Sequence, residues 1–290
     1  KDKIALFCNV DHEAVIEAID VKHIYEVPLC FKKEGLDDLI LKKLNIKRDD
    51  KDIKEWRNMV IERLRNPEKE VKICVVGKYI ALPDAYKSIY EALVHGGIAN
   101  NARVNIIKID SEEVTADNVE KRLNGTQGIL IPGGFGDRGI EGKISAVQYA
   151  REKNIPYFGI CLGMQVACIE FARNVCKCKG ANSTEFDKGT KSPVIALLEE
   201  QLDVKNMGAT MRLGAYPCKI TKNSLSFKAY KKEMISERHR HRYEFNNKYK
   251  KMFEQNGMLF PGIHPQQKLV EIVELKYLPW CVGCEFHPEF

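Results

Sequence analysis

Pro156-Tyr-Phe-Gly-Ile-Cys161-Leu-Gly-Met-Gln-Val-Ala167 sets a cysteine between an apolar run with strand character and an apolar run with helical character. Gly159 and Gly163 stand two residues to either side of it. This is the G-x-nucleophile-x-G elbow of a strand–turn–helix unit, with cysteine where a hydrolase would carry serine. So tight a turn leaves no room for side chains at the two flanking positions, which accounts for both glycines. The elbow is expected to lift the sulfur above the sheet edge and place it at a helix N-terminus. There the dipole and free N–H groups favour thiolate over thiol. A cysteine that merely packs in a core has little use for the double-glycine bracket, so Cys161 is read as a nucleophile.

Upstream of the elbow, Val71-Lys-Ile-Cys-Val-Val-Gly77 reads as a buried parallel strand, and strands and helices alternate from there. Helices are expected at 84–95, 142–153 and 162–173, and strands at 103–109, 128–132 and 155–160, the pattern of an α/β domain on a parallel sheet. Later segments near 193–198, 209–220, 258–263, 269–275 and 280–286 are strand-rich with turns between them, so antiparallel strands should extend the sheet. Trp56, Met59, Val60, Ile61 and Leu64 fit a short amphipathic helix that Asn66-Pro67 ends. Residues 1–45 offer a strand over Lys3–Val10, a helix-like stretch near 12–19 and a helix ending near Leu44, too little to close a core alone. The expectation is a chain excised from a larger protein.

A cysteine nucleophile needs a base, and the base needs an orienting group. Cys284-Glu-Phe-His287-Pro-Glu289-Phe supplies both. His287 and Glu289 are two apart, so in an extended segment both side chains point to one side and the carboxylate can hold the imidazole tautomer. Ile129-Leu-Ile-Pro-Gly-Gly134-Phe-Gly-Asp-Arg138-Gly139 contains a literal G-x-G-x-x-G. As a dinucleotide cradle it lacks its second half, because the next strand ends at Cys161 and not at an acidic residue. In an acyl-transfer site the same glycines expose N–H groups to an oxyanion, with Gly134 the donor of choice and Leu162 its partner.

Of the 290 residues, 44% are hydrophobic and 30% charged, and the net charge of +6 is spread along the chain, so charge alone does not imply nucleic acid. Arg238-His-Arg-His-Arg242 is too short and too poor in aromatics for a nucleic-acid patch. Ten cysteines without a disulfide framework, no signal-peptide pattern and no membrane-spanning run lead to the expectation of a reducing compartment, the cytoplasm. Cys176-Lys-Cys178 and Cys281-Val-Gly-Cys284 are read as packing cysteines, and no metal site is expected.

Three motifs together, Pro132-Gly-Gly-Phe-Gly136, Gly159-Ile-Cys-Leu-Gly-Met-Gln165 and Phe286-His-Pro-Glu-Phe290, resemble class I, triad-type glutamine amidotransferases. Val76-Gly-Lys-Tyr79, Leu82–Ser88, Arg138-Gly-Ile-Glu-Gly142, Ala181–Phe186, Met211-Arg-Leu-Gly214 and Glu237–Tyr243 narrow the resemblance to the CTP synthase family. Phe7-Cys-Asn-Val10 and Ile24-Tyr-Glu-Val-Pro28 look like the tail of that family's amidoligase domain.

The resemblance implies a flavodoxin-like three-layer α/β sandwich. It divides the chain into 1–48 (amidoligase remnant), 49–70 (linker) and 71–290 (glutamine amidotransferase domain). It makes Cys161, His287 and Glu289 the triad, with Gly134, Leu162, Gly163, Met164, Gln165, Glu185 and Arg242 holding L-glutamine. Glu185 would pair with the α-ammonium, Arg242 with the α-carboxylate, and Gln165 would offer amide hydrogen bonds. Arg138, Gly139 and Glu141 fall in the loop tied to the GTP response. In the whole enzyme, ammonia from glutamine would aminate UTP to CTP with ATP and Mg2+, in pyrimidine biosynthesis, by a homotetramer. No cofactor is expected on this chain, and no P-loop is present, so at most glutaminase activity is expected of it. A regulatory module whose triad idles in isolation, or a γ-glutamyl hydrolase, are the alternatives.

Overall fold

The computed structural model describes residues 1–47, 53–197 and 211–290. The expected linker start at 49 and the ends of two expected strands, 198 and 209–210, lie outside the described residues. The chain forms two compact units, Lys1–Glu70 with Val94–Arg103, and Val71–Leu93 with Val104–Phe290.

In the first unit the expected strand at Lys3–Val10 is instead a helix, Asp2–Cys8, closed by Asn9 in the left-handed conformation. Its run of apolar residues mimics a strand, yet Leu6 and Phe7 are 78% and 85% exposed. A strand needs a neighbour to satisfy its backbone, whereas a helix satisfies its own. The stretch near 12–19 is helical only as a 3-10 turn, His12–Ala14. Helices Val27–Lys33 and Leu36–Lys43 follow. The amphipathic segment forms a helical run over Lys54–Trp56, Arg57–Ile61 (π-helical) and Glu62–Arg65, ending at Asn66 as the Asn-Pro pair requires. None of residues 1–47 is buried.

The second unit is built on strands β1 (Lys69–Gly77), β2 (Ala102–Asp110), β3 (Gly128–Ile131), β4 (Tyr157–Ile160), β5 (Ala181–Ser183), β6 (Ser192–Ala196), β7 (Arg212–Ile220), β8 (Met234–His241), β9 (Glu244–Phe245), β10 (Met258–Ile263), β11 (Val270–Leu275) and β12 (Cys281–Cys284). Among the described residues the large sheet runs β2-β1-β3-β4-β12-β11-β10-β7-β8, and β5-β6-β9 form a small one. From β1 through β3 and β4 to β12 the pairing is parallel. From β12 outward to β8 it is antiparallel.

The period-2 alternation of the strands explains the layers. Cys74, Val76, Ile129, Ile131 and Tyr157 belong to one core, packed with helices Ile140–Glu152 and Leu162–Asn174. Val75, Leu130 and Ile160 belong to the other, with Ile89 of helix Lys87–Ala99. Adjacent residues of one strand thus face opposite cores, and helices cover both faces. This is the expected three-layer α/β sandwich, with antiparallel strands added on one side.

Helix Leu162–Asn174 sits unusually close to the sheet. A Cβ on Gly163 would lie 2.2 Å from the Ile131 carbonyl oxygen, and one on Gly159 would lie 2.5 Å from the Gly163 carbonyl carbon. Both obstacles are backbone, which cannot swing aside. Helix Ile140–Glu152 buries Lys143 completely, and its Nζ has no hydrogen-bond partner among the described residues. Burial first, then the charges of Lys78 and Arg138, push its pKa down to about 7.

Two outcomes follow. Gly163→Ala gains about 1 kcal/mol of helix propensity but meets an overpacking cost of about 1–3 kcal/mol, here against backbone and so at the upper end. Urea denaturation should therefore find it less stable by about 2 kcal/mol. Lys143→Met should be more stable than the native chain, most of all below pH 7. The folded lysine releases its proton near pH 7 and the unfolded one near 10.5, so between these values the native chain gains stability with pH. The methionine variant lacks that rise, and its advantage should shrink by up to about 1.4 kcal/mol per pH unit, read from denaturation midpoints between pH 6.5 and 9.5.

Candidate active site

The carboxyl ends of the parallel strands β1, β3, β4 and β12 lie side by side, the position at which open α/β sheets place their ligand sites. Cys161 follows β4 and precedes helix Leu162–Asn174 with φ 52° and ψ −107°. A left-handed φ is strained for any residue with a Cβ and persists only where the surroundings enforce it. Here the Cys161 N–H donates to the Cys284 carbonyl of β12 at 2.7 Å, and its carbonyl accepts from the Gln165 N–H at 3.2 Å.

The next turn of β12 carries the rest. The His287 N–H donates to the Arg238 carbonyl at 2.8 Å, which anchors the segment after β12 to β8. His287 Nδ1 lies 2.9 Å from Glu289 Oε1, so the two side chains do meet as their spacing predicts. His287 Nε2 is buried and has no hydrogen-bond partner among the described residues. A Cβ on Gly133 would be 2.9 Å from His287 Cε1 and 3.5 Å from Cys161 Cβ, so Gly133 faces both residues. Gly134, one residue on, faces Leu162 and Lys78. Sequence reasoning chose Gly134 and passed over Gly133; only the spatial neighbours distinguish two adjacent glycines. Gly133, Gly134, Cys161, Arg240, His287 and Glu289 all line one cavity of about 420 Å³.

The thiolate expectation is corrected. Cys161 is 3% exposed. Burial, and next the nearby Glu285 carboxylate, push its thiol pKa well up, with Glu289 and Glu185 adding to this. The Leu162 N–H at the helix start pulls in the predicted direction but is outweighed.

Of the other predicted residues, Gln165 is buried, and its Nε2 donates to the Tyr243 carbonyl at 2.9 Å and to both oxygens of Glu285 at 3.2 and 3.5 Å. Its amide nitrogen is thus engaged within the protein, where sequence reasoning had it meeting the substrate. Met164 is fully buried in the core, where it packs against Gly283 of β12, and Gly163 is pressed against Ile131. Neither lines the cavity. Glu185 accepts from the Gly136 N–H at 2.7 Å, and burial raises its pKa while Gly136, Lys78 and Arg242 oppose this. Arg242 keeps a buried Nε without a partner among the described residues. Arg138 pairs with Glu112 at 2.5 Å and Glu141 with Arg173 at 2.9 Å, while Gly139 precedes helix Ile140–Glu152 in the left-handed conformation.

Beneath the site runs a charged network that sequence reasoning missed. Arg212 donates to Glu244 at 3.1 Å and Glu271 at 2.8 Å, while His239 meets Glu271 and His241 meets Glu244, both at 2.7 Å. All five are buried. In β8 Arg238 and Arg240 face outward while His239 and His241 point inward, the alternation of a strand, and Arg242 lies beyond it. Cys281 and Cys284 lie buried in β12, packed in the cores.

Comparison with known proteins agrees with this geometry. The family model "Glutamine amidotransferase class-I" matches residues 81–290, and "CTP synthase N-terminus" matches 1–46. CTP synthase of Aquifex aeolicus is 54% identical over 290 residues, covering 100% of this chain and 54% of that protein. CTP synthase of Clostridium kluyveri is 55% identical over 289 residues, again covering 54% of its length. The chain spans about half the length of the curated relatives it matches. Among solved structures, the glutaminase domain of Trypanosoma brucei CTPS, with bound acivicin, is 42% identical with a TM-score of 0.71, over 76% of this chain and 86% of that one. A thiol at a strained elbow, a carboxylate-held histidine in the same cavity and a family model spanning 81–290 converge, and the chain belongs to the class I glutamine amidotransferases, an enzyme family, in the form carried by CTP synthases.

Proposed function

We propose that this chain hydrolyses L-glutamine to glutamate and ammonia, with Cys161 as nucleophile, His287 as base and acid, and Glu289 holding the imidazole. One observation carries the reading. A cysteine forced into positive φ shares a cavity with a histidine whose Nδ1 is held by a carboxylate and whose Nε2 has no partner among the described residues.

As glutamine enters, His287 Nε2 takes the Cys161 proton while Sγ bonds to the side-chain amide carbon. The oxyanion is stabilised by backbone N–H groups at Gly134 and Leu162, with Gly133 adjacent. When the C–N bond breaks, His287 returns the proton to the leaving nitrogen as ammonia, leaving a thioester. Water then gives its proton to His287, attacks the thioester, and releases glutamate and the thiol. Glu185 would receive the α-ammonium and Arg242 the α-carboxylate, in a charge-assisted arrangement selective for the free amino acid. That selectivity argues against a γ-glutamyl hydrolase. Gln165 serves by fixing the Tyr243 carbonyl next to Arg242.

In the whole enzyme the ammonia would pass to the amidoligase domain for ATP-dependent amination of UTP to CTP. GTP would act as effector near Arg138, Gly139 and Glu141, and the assembly would be a homotetramer. Mg2+ prefers hard oxygen donors. The buried cluster of Cys161, His241 and Glu285 offers a single carboxylate beside a thiol and an imidazole, a donor set that does not fit it. The protonated, buried Cys161 favours one second reading, a triad that idles until the remaining protein or its effector adjusts the site.

Ammonia release from glutamine should fall roughly 10³-fold or more in Cys161→Ala and about 10²–10⁴-fold in Glu289→Gln. Equal rates for the native chain and Cys161→Ala would end the hydrolase reading. A glutamine-like diazoketone should alkylate Cys161, mapped by mass spectrometry. Labelling at Cys161 without turnover would favour the idle triad, and labelling at a different residue would remove Cys161 from its role.

A further inference from the structure

Cys161 has a second set of neighbours, on β8 and at the end of β12, that hydrolysis does not use. Since Ile160 pairs with Cys284, the next residues of these parallel strands, Cys161 and Glu285, fall side by side. His241 ends β8. One donor atom from each of Cys161, His241 and Glu285 lies within 4.8 Å of the other two, and all three residues are buried. We propose that these three residues form a site for a borderline-soft divalent cation, Zn2+ above all, which captures the nucleophilic sulfur and reversibly shuts off glutamine hydrolysis. The regulatory consequence rests on the reading of Cys161 as nucleophile; the binding site does not.

The ligands are held from outside as metal ligands are. His241 Nε2 bonds to the Glu244 carboxylate at 2.7 Å, and Glu244 is fixed in turn by Arg212. With Nε2 engaged by Glu244, the ring nitrogen left to meet a cation is Nδ1, which is buried without a partner among the described residues and must give up any proton it holds. This is the carboxylate–histidine–metal arrangement. Glu285 is oriented by Gln165 Nε2, which donates to both its oxygens.

The donor set of sulfur, imidazole nitrogen and carboxylate oxygen suits Zn2+ and excludes Mg2+ and Ca2+ as preferred occupants. Tetrahedral zinc would bring its ligand atoms to roughly 3.3–3.7 Å apart, so a side-chain rotation of about 1 Å closes the site. Of the three ligands only Cys161 lines the cavity, and a water from that side would complete the shell. Coordination displaces the thiol proton, and with it any proton on the Glu285 carboxyl and on the binding nitrogen of His241, to solvent, and the sulfur pair that would attack the amide becomes a metal bond. The buried carboxylates Glu244 and Glu285 offset the added positive charge.

Anaerobic Co2+ titration reads the site directly, because a thiolate ligand gives a near-ultraviolet charge-transfer band. The native chain should bind one Co2+ with that band, and Cys161→Ala should lose it; the nine other cysteines contribute equally to both. His241→Asn should bind about 10–100-fold more weakly, and His287→Ala as tightly as the native chain. If His241→Asn does not fold, Glu285→Gln should give the same weakening. Zn2+ should block diazoketone labelling of Cys161, and a chelator should restore it. An equal band in Cys161→Ala, or unchanged affinity in folded His241→Asn or Glu285→Gln, would overturn the site. A metal-free chain that binds Co2+ through Cys161 yet never hydrolyses glutamine would leave the metal site standing and overturn the hydrolase reading. Hydrolysis with Co2+ bound elsewhere would do the reverse.

Discussion

Everything at the candidate site depends on how closely the Leu162–Asn174 helix approaches β3 and β4. With a Cβ position on Gly163 only 2.2 Å from the Ile131 oxygen, no other residue fits without moving a backbone. That approach leaves the linking residue no relaxed path from strand to helix, and Cys161 takes φ 52° in consequence. The strain is held by a main-chain bond to Cys284, the strand that also delivers His287. One steric constraint therefore sets the sulfur's position and ties it to the strand carrying the base. A catalytic pair needs that shared rigidity, since small displacements cost rate heavily.

The antiparallel extension beyond β12 supplies a second kind of rigidity. Arg212 of β7, Glu271 of β11 and Glu244 of β9 join His239 and His241 of β8 in one buried chain of ion pairs. Such pairs contribute little net stability, because desolvation cancels much of their attraction. They are directional, however, and removing one partner strands the others. Their effect is to fix the register of β8, whose Arg240 carbonyl lies 3.9 Å from Cys161 Sγ and whose end leads into Arg242 and Tyr243. The network thus steadies the strand that borders both Cys161 and, through the Arg238 carbonyl, His287.

The central sheet, its helices, the Cys161 elbow and the His287–Glu289 contact were legible because each rests on local pattern: apolar runs of strand length, glycines at fixed offsets, two residues spaced two apart. The helix at Asp2–Cys8 was misread because a contiguous apolar run does not distinguish strand from helix without a partner strand. The network was invisible for a different reason. Glu271 lies in a strand that reads as apolar, and nothing local says that an acidic residue there is buried and paired. The partners of Gln165 were hidden for the same reason: its amide nitrogen is used by Tyr243 and Glu285, 78 and 120 residues away.

The protonation of Cys161 is where local and global physics part most clearly. A helix N-terminus favours an anion by about 0.3–1 kcal/mol when exposed, and about 2 kcal/mol when partly buried. Complete burial beside Glu285 acts in the opposite sense and is larger, since a desolvated charge without a partner costs several kcal/mol. Burial beside Glu285 therefore favours the thiol over the thiolate. On the proposed reading, that makes proton transfer to His287 part of substrate engagement: the imidazolium formed next to Glu289 provides the positive charge that the buried thiolate otherwise lacks. Any cation able to reach the sulfur would meet the same need, which is why the environment that keeps the nucleophile quiet at rest is also one that a metal ion can exploit.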